Sequence, residues 1–376
     1  MKKLTILVLA ALVALPVFAA QPLNFMVSET ISYDDNIYLT KDDTKDSVIS
    51  STHVGAEYRA PVPGSGLTLS ATGLVGYNAY TEKSSKNNYW DALADVNLQN
   101  DTFKLGDRFI YTADPANNAL TDRAKRLQNK GYFSWQSSRE KILGLGVNVS
   151  DIYDYYTDND WEYLDRNRVN AGAQLNYNIS GKTQLFAEYM FSNISYNTNK
   201  KNNSNGSTFG LGINGQLAPK VTGTAKATYA MRDYEHSKAG ADNYVSLVGY
   251  YLEVEWMPTE NDLIRLSGER AMEETIYGVN RYYVDTSVSL HAAHRFFTKW
   301  TAAVTFTYDN MAYPKAAAAG EDKRKDDLFS VRPELGYQFK DWLSAGIWYN
   351  FTTRRSNTSW AKYDRNRVGA FVKAMF

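Results

Sequence analysis

The sequence has no cysteine, so no disulfide holds its fold. Proline is scarce, nine in 376 residues, and there are four histidines. Of these, His53 and His236 stand apart, while His291 and His294 lie three positions apart. On a strand that spacing sends the side chains to opposite faces, so the pair cannot chelate one metal. Asp285 and His291 share a face but stand roughly 20 Å apart along a strand, too far for a catalytic acid–base pair. No Gly-x-Ser-x-Gly element is placed on a strand-to-helix elbow. The sequence therefore predicts no enzyme, no cofactor and no metal. Net charge is absent too: 41 Lys and Arg balance 41 Asp and Glu. A near-neutral chain argues against a nucleic-acid partner. Beyond the first twenty residues no run is apolar enough to cross a bilayer as a helix, and the mean hydropathy is -0.46.

The residues that are abundant give a different picture. Tyr (28), Phe (16) and Trp (8) make up 14% of the chain. Low hydropathy with many aromatics suits a membrane β-barrel, in which only every second residue of a strand must be apolar. The chain begins MKKLTILVLAALVALPVFAA: Lys2 and Lys3 precede an apolar run broken by Pro16, with small residues at Ala19 and Ala20. That predicts a cleaved signal peptide over 1–20, whose removal leaves 39 basic against 41 acidic residues. From Gln21 to Phe376 no Pro/Ser-rich linker, charge run or change of pattern marks a boundary, so 21–376 reads as one domain.

Within that domain period-two alternation recurs. Val368, Ala370, Val372, Ala374 and Phe376 form one apolar row at the carboxy-terminus, against Arg365, Arg367, Gly369 and Lys373. Val248, Tyr250, Leu252, Val254 and Trp256 form another, as do Val169 to Ile179 and Leu343 to Phe351. Short turns (99–101, 180–182, 218–220, 340–341) alternate with longer polar loops (113–125, 157–161, 199–205, 314–325). The expected fold is all-β: a transmembrane up-and-down antiparallel barrel of about eighteen strands, sixteen being the alternative count, with both termini periplasmic. The segments 102–111 and 127–137 are weakly patterned. A strand ending on Phe376 implies outer-membrane lipid around the barrel and recognition by the barrel-assembly machinery.

One module occurs twice. WEYLDRNRV from Trp161 to Val169 is echoed by WAKYDRNRV from Trp360 to Val368. Since Val169 and Val368 join the apolar rows, Arg166 and Arg168, and likewise Arg365 and Arg367, are expected inside the barrel at its outer mouth. Each doublet concentrates positive charge there, to be weighed against pairing with Asp165, Asp364 or loop acids.

The stretch SYDDNIY from Ser32 to Tyr38, the YDRNRVGAF ending from Tyr363 to Phe371, and the Tyr-rich strands resemble the outer-membrane family called putative β-barrel porin type two. The resemblance covers the mature chain and implies a porin-like barrel, some relatives standing beside exopolysaccharide or capsule export systems; it brings no catalytic residue.

The inward face yields the candidate pore-lining residues Glu253, Glu255, Arg265, Glu269, Glu273, Arg332, Glu334 and Arg354. A hairpin symmetric about Thr259 sets Glu253 across from Arg265. Charges of both signs either sort permeants by a transverse field or pair across strands to keep the wall polar. Arg270 falls on a lipid-facing row, where mid-membrane arginine costs about 2–4 kcal/mol; a bulge or a longer strand is expected there. Ca²⁺ at Asp34 and Asp35 is weaker than their reading as solvated turn acids.

The function read from these residues is passive diffusion of small hydrophilic solutes, the bore narrowed by loop 113–125 or 314–325 folding inward. Two alternatives remain: an exopolysaccharide conduit with sugar-stacking platforms at Tyr251, Tyr283 and Trp348, and a structural or adhesive barrel without an open bore. The sequence leaves the oligomeric state open.

Overall fold

Alternating strands in an apolar surrounding must pair on both edges, since an unpaired N–H or C=O there costs several kcal/mol. A computed structural model describes residues 23–114, 123–317 and 320–376 and meets that condition with one closed, eighteen-stranded antiparallel sheet. The expected signal peptide lies outside the described residues.

The first six strands are β1 (Leu23–Asp34), β2 (Ser47–Val62), β3 (Leu67–Tyr80), β4 (Tyr89–Gln99), β5 (Phe103–Thr112) and β6 (Arg126–Gln136). Then follow β7 (Leu143–Tyr156), β8 (Arg166–Asn178), β9 (Thr183–Tyr196), β10 (Ser204–Ala218), β11 (Val221–Tyr234) and β12 (Tyr244–Trp256). The last six are β13 (Asp262–Glu274), β14 (Tyr282–Phe296), β15 (Trp300–Ala316), β16 (Lys323–Lys340), β17 (Leu343–Ser356) and β18 (Tyr363–Met375). Each strand pairs with its sequence neighbours, and β1 closes on β18 from Met26↔Met375 to Asp34↔Arg367. Leu23, the start of β1, and the end of β18 therefore sit on the rim that carries the short turns. There Phe25 and Phe376 exchange two backbone hydrogen bonds of 2.9 Å, and Trp342 stacks on Phe376 at 5.2 Å. A run of ring contacts, Phe296 to Trp300 to Tyr337 to Phe339, continues the aromatic girdle.

Outward rows are apolar and uncovered: Leu211 is 68% exposed, Val248 66% and Ile347 59%. The weakly patterned segments are strands all the same. Their outward row includes Asp107, whose carboxylate accepts a 2.8 Å bond from Asn129 Nδ2, so a polar pair interrupts the alternation.

The packed core lies at the long-loop rim, where side chains and loops close over the bore. One cluster is Tyr283, Met311, Tyr313, Leu328 and Tyr363, with Leu39 and Tyr277 against it. A second is Ala124, Tyr156 and Leu164, joined by Trp161 and Ile276. A third is Ile37, Ile49 and Tyr80. The 314–325 segment is shorter as a loop than expected, because β15 runs to Ala316 and β16 starts at Lys323.

Candidate functional site: the lumen and its loop-side mouth

Parity sets the lumen lining. With Val368 and Val372 on the outward row, β18 turns Arg365 and Arg367 inward; β8 does the same with Arg166 and Arg168 on the mouth side of its outward Leu175. Both doublets follow a short helical turn, Asn159–Leu164 or Ser359–Ala361, that tucks Leu164 or Ala361 into the mouth.

The acids that meet these arginines differ from those the sequence suggested. Arg365 makes a two-pronged contact with fully buried Asp34, at 3.0 Å from Nε to Oδ1, and Arg367 Nε stands 3.6 Å from the same carboxylate. Arg166 contacts Asp154 at 3.3 Å and also Glu274. Glu274 closes β13, five strands away round the wall, and it also receives the Tyr196 hydroxyl at 3.1 Å and faces Arg232 at 3.6 Å. The carboxylate from β13 therefore spans the lumen. Asp165 instead accepts the Tyr156 N–H at 2.7 Å, and burial holds its carboxyl above the usual carboxylate range. Asp364 turns away to Thr353 and Arg355. Asp34 and Asp35 are both engaged, the latter accepting two 2.7 Å bonds from Asn366. Asp34 is thus not the solvated turn acid that the sequence suggests but a buried partner of two arginines; among the described residues no group of three or more His, Cys, Asp or Glu could hold a metal ion.

Of the eight predicted pore-lining residues, seven fall into three groups along the lumen and one does not line it. At the short-turn rim the hairpin pairs Glu255 with Arg265, Nη2 to Oε2 2.6 Å. The register is Trp256↔Ile264, centred on Glu260 rather than Thr259, so Glu253 faces Ser267 and accepts the Tyr251 hydroxyl at 2.5 Å. In mid-wall Arg332 pairs with Glu334 at 3.1 Å and lies over the Trp348 ring at 4.4 Å. Glu269 and Glu273 carry no ion pair among the described residues; with Asp285 they form an acidic stripe on β13 and β14. Arg354 does not line the pore: it is 1% exposed, 3.3 Å from Asp326 and 3.5 Å from Met311 sulfur. It belongs to the packed mouth.

A loop that the sequence did not single out does most of the closing. In the 275–281 segment Ile276 packs into the Ala124/Tyr156/Leu164 cluster, while the next residue, Tyr277, meets Tyr313 at 5.4 Å and Trp360 at 5.8 Å. These belong to opposite sides of the ring, so the loop bridges the mouth. Of the two loops expected to constrict, 113–125 contributes buried Ala113 and Ala124 and Arg123 over Tyr80 at 4.5 Å, its middle lying outside the described residues. The other delivers Arg324, which sits at 4.7–4.8 Å over Tyr277, Tyr313 and Trp360. A hydropathy pattern gives no signal for such a loop; Gly278 and the single apolar pair Ile276–Tyr277 amid polar neighbours were its trace.

Arg270 keeps its lipid-facing parity without a bulge. The β12–β13 ladder stops at Tyr250↔Arg270, and the guanidinium donates to the carbonyl of Val248, the acceptor that the missing ladder leaves open.

Comparison with known proteins agrees with this architecture. The barrel is similar to OpdK of Pseudomonas aeruginosa (TM-score 0.51, 12% identity, 94% of this chain and 99% of that one). It is similar also to OccK5 (OpdH) of the same organism (0.52, 12%, 94% and 97%) and to its OccK2 (OpdF) solved with glucuronate (0.52, 11%, 94% and 98%). No curated protein matches the sequence. The model of the family described as putative beta-barrel porin 2 matches residues 155–376. With a closed eighteen-stranded wall, a charged lumen and that match over more than half of its length, the chain belongs to this porin family and is a porin-like channel of the outer membrane.

Proposed function

We propose that the channel passes small hydrophilic solutes by diffusion through a mouth narrowed by the 275–281 loop, and that it sorts them by charge. The observation that carries this reading is the division of the wall. Glu269, Glu273 and Asp285 stand together on β13 and β14, while the inward Arg166 and Arg168 of β8 and Arg365 and Arg367 of β18 stand five strands from β13 on either side. Charges of opposite sign on facing low-dielectric walls make a field across the bore that orients a polar permeant. Chemistry on the permeant forms no part of this reading.

An exopolysaccharide conduit would need open aromatic platforms. Tyr283 is 1% exposed and sits inside a cluster, and the Trp348 ring lies between Arg332 and Arg367, so the geometry favours solute diffusion. Export by the 1–20 leader and recognition of the Phe376 strand by the barrel-assembly machinery complete the proposal; deleting Phe376 is expected to lower the membrane-inserted fraction.

Planar-bilayer recording tests the function. A steady open level with unequal anion and cation permeability is expected. Absence of conductance would sink the channel reading, and block by oligosaccharide alone would favour the conduit.

A further inference from the structure

The β12–β13 seam has the shortest ladder of the barrel, seven partners from Tyr250↔Arg270 to Trp256↔Ile264. Yet β12 stays paired with β11 up to Tyr244, and β13 with β14 up to Glu274. The wall on each side is intact and only the seam between them parts. Above Arg270, β13 bends toward the lumen. Four residues on, Glu274 has reached Arg166 and Arg232.

The gap is bounded on every side. Its sill is Arg270, its flanks are residues 244–249 of β12 and 271–274 of β13, and its lintel is a set of loop contacts. Arg281 donates to the carbonyls of His236 and Asp242, and Lys238 Nζ reaches the carbonyls of Gly278 and Asn280. At about 2.5 Å of height per tilted residue, the sill lies roughly 15 Å above the girdle residue Trp256, within an apolar band of about 25 Å. The gap therefore faces the outer leaflet. Unpaired strand edges at that depth are tolerated where they line a cavity.

We propose that this seam is a side window through which a single-chain amphiphile with an anionic head moves between the lumen and the outer leaflet. Val248 and Met272 on the lipid side and Leu247 and Ala271 on the inner side offer an apolar slot for an extended chain. The sill cation supplies the head contact. Arg270 spends one donor on Val248, and a guanidinium has five, arranged to meet a carboxylate or phosphate. Inside, Arg166 and Arg232 are shared with Glu274, while Arg168 Nε has no hydrogen-bond partner. A further strand is a poor occupant, because the lintel contacts block its passage and the Arg270 side chain covers the first free carbonyl.

The test uses the full-length barrel in phosphatidylcholine vesicles with a dodecanoate carrying a terminal fluorophore. Saturable binding is expected, weakened at least tenfold when Val248→Cys and Met272→Cys, which a continued ladder would bring opposite, are joined by oxidation or a bismaleimide, and restored when the disulfide is reduced. Ionic conductance through the axial bore should be unchanged. The same cross-link between Val254→Cys and Leu266→Cys, already paired, should change nothing. Leu247→Trp, which fills the slot without a cross-link, should reproduce the loss, and Arg270→Gln should weaken the carboxylate probe but leave a trimethylammonium probe unaffected. No saturable binding, binding that survives the closed seam, or disulfides between two copies through Val248→Cys alone would each overturn the window.

Discussion

The two copies of the Trp-to-Val module, 161–169 and 360–368, have the same arginine spacing and enter equivalent strands, yet their arginines end in different networks. In the second copy Asp34 of the neighbouring strand β1 takes Arg365 and faces Arg367, and Trp348 of the other neighbour lies 5.3 Å below Arg367. That network is local to one stretch of wall. In the first copy Arg166 is shared between neighbouring Asp154 and Glu274 from across the bore, while Arg168 stays without an ion pair among the described residues. A module can fix where a guanidinium points; the carboxylate it meets is supplied by whichever strand the closed ring brings near.

This difference gives experiments of graded size. Glu274→Ala strips Arg166 of its cross-lumen partner and Arg232 of its carboxylate, and releases the 275–281 loop. Breaking a buried pair in this way costs about 3–5 kcal/mol, to be read from urea unfolding in vesicles by tryptophan fluorescence, and the open-channel conductance should rise. Unchanged conductance would separate the loop from the constriction. Asp34→Asn is expected to cost less, about 2–3 kcal/mol, because Arg365 and Arg367 retain some contact with water, and it should leave the conductance near its original level. If both variants behaved alike, the contrast between a local and a spanning network would fail.

Selectivity should separate the copies in the opposite sense. Arg168→Gln breaks no ion pair, so stability should change by less than about 1 kcal/mol, while the anion-to-cation permeability ratio falls. Arg365→Glu with Arg367→Glu should lower that ratio further; an unchanged ratio removes the second doublet from the selectivity mechanism. The smallest effect is expected far from both, at the short-turn rim: Arg265→Ala breaks a half-exposed pair with Glu255, worth no more than about 1 kcal/mol.

How far the sequence could be read follows the range of the interactions. Strand positions, the inward placement of both arginine doublets and the alternation of short turns with long loops are consequences of a two-residue period, which needs only local sequence. The hairpin register slipped because Thr259 and Glu260 are equally acceptable turn centres until the ladder fixes Trp256 opposite Ile264. Arg354 looked like a lumen residue because its parity is inward; only the convergence of Met311, Asp326 and Tyr363 at the mouth buries it. Arg270 looked misplaced because period-two logic assumes that every ladder runs its full length.

Alternation and the scarcity of long apolar runs were sufficient by themselves to indicate a barrel of about eighteen strands, sixteen being the alternative, and the inward parity of each strand's side chains, since parity is a property of each strand alone. Closure of the ring decided the rest: which acid each arginine meets, how Ile276 and Tyr277 reach opposite walls, and where β13 leaves the seam. Those outcomes depend on distances between residues a hundred positions apart, as Arg166 and Glu274 are, and such distances exist only once the last strand has paired with the first.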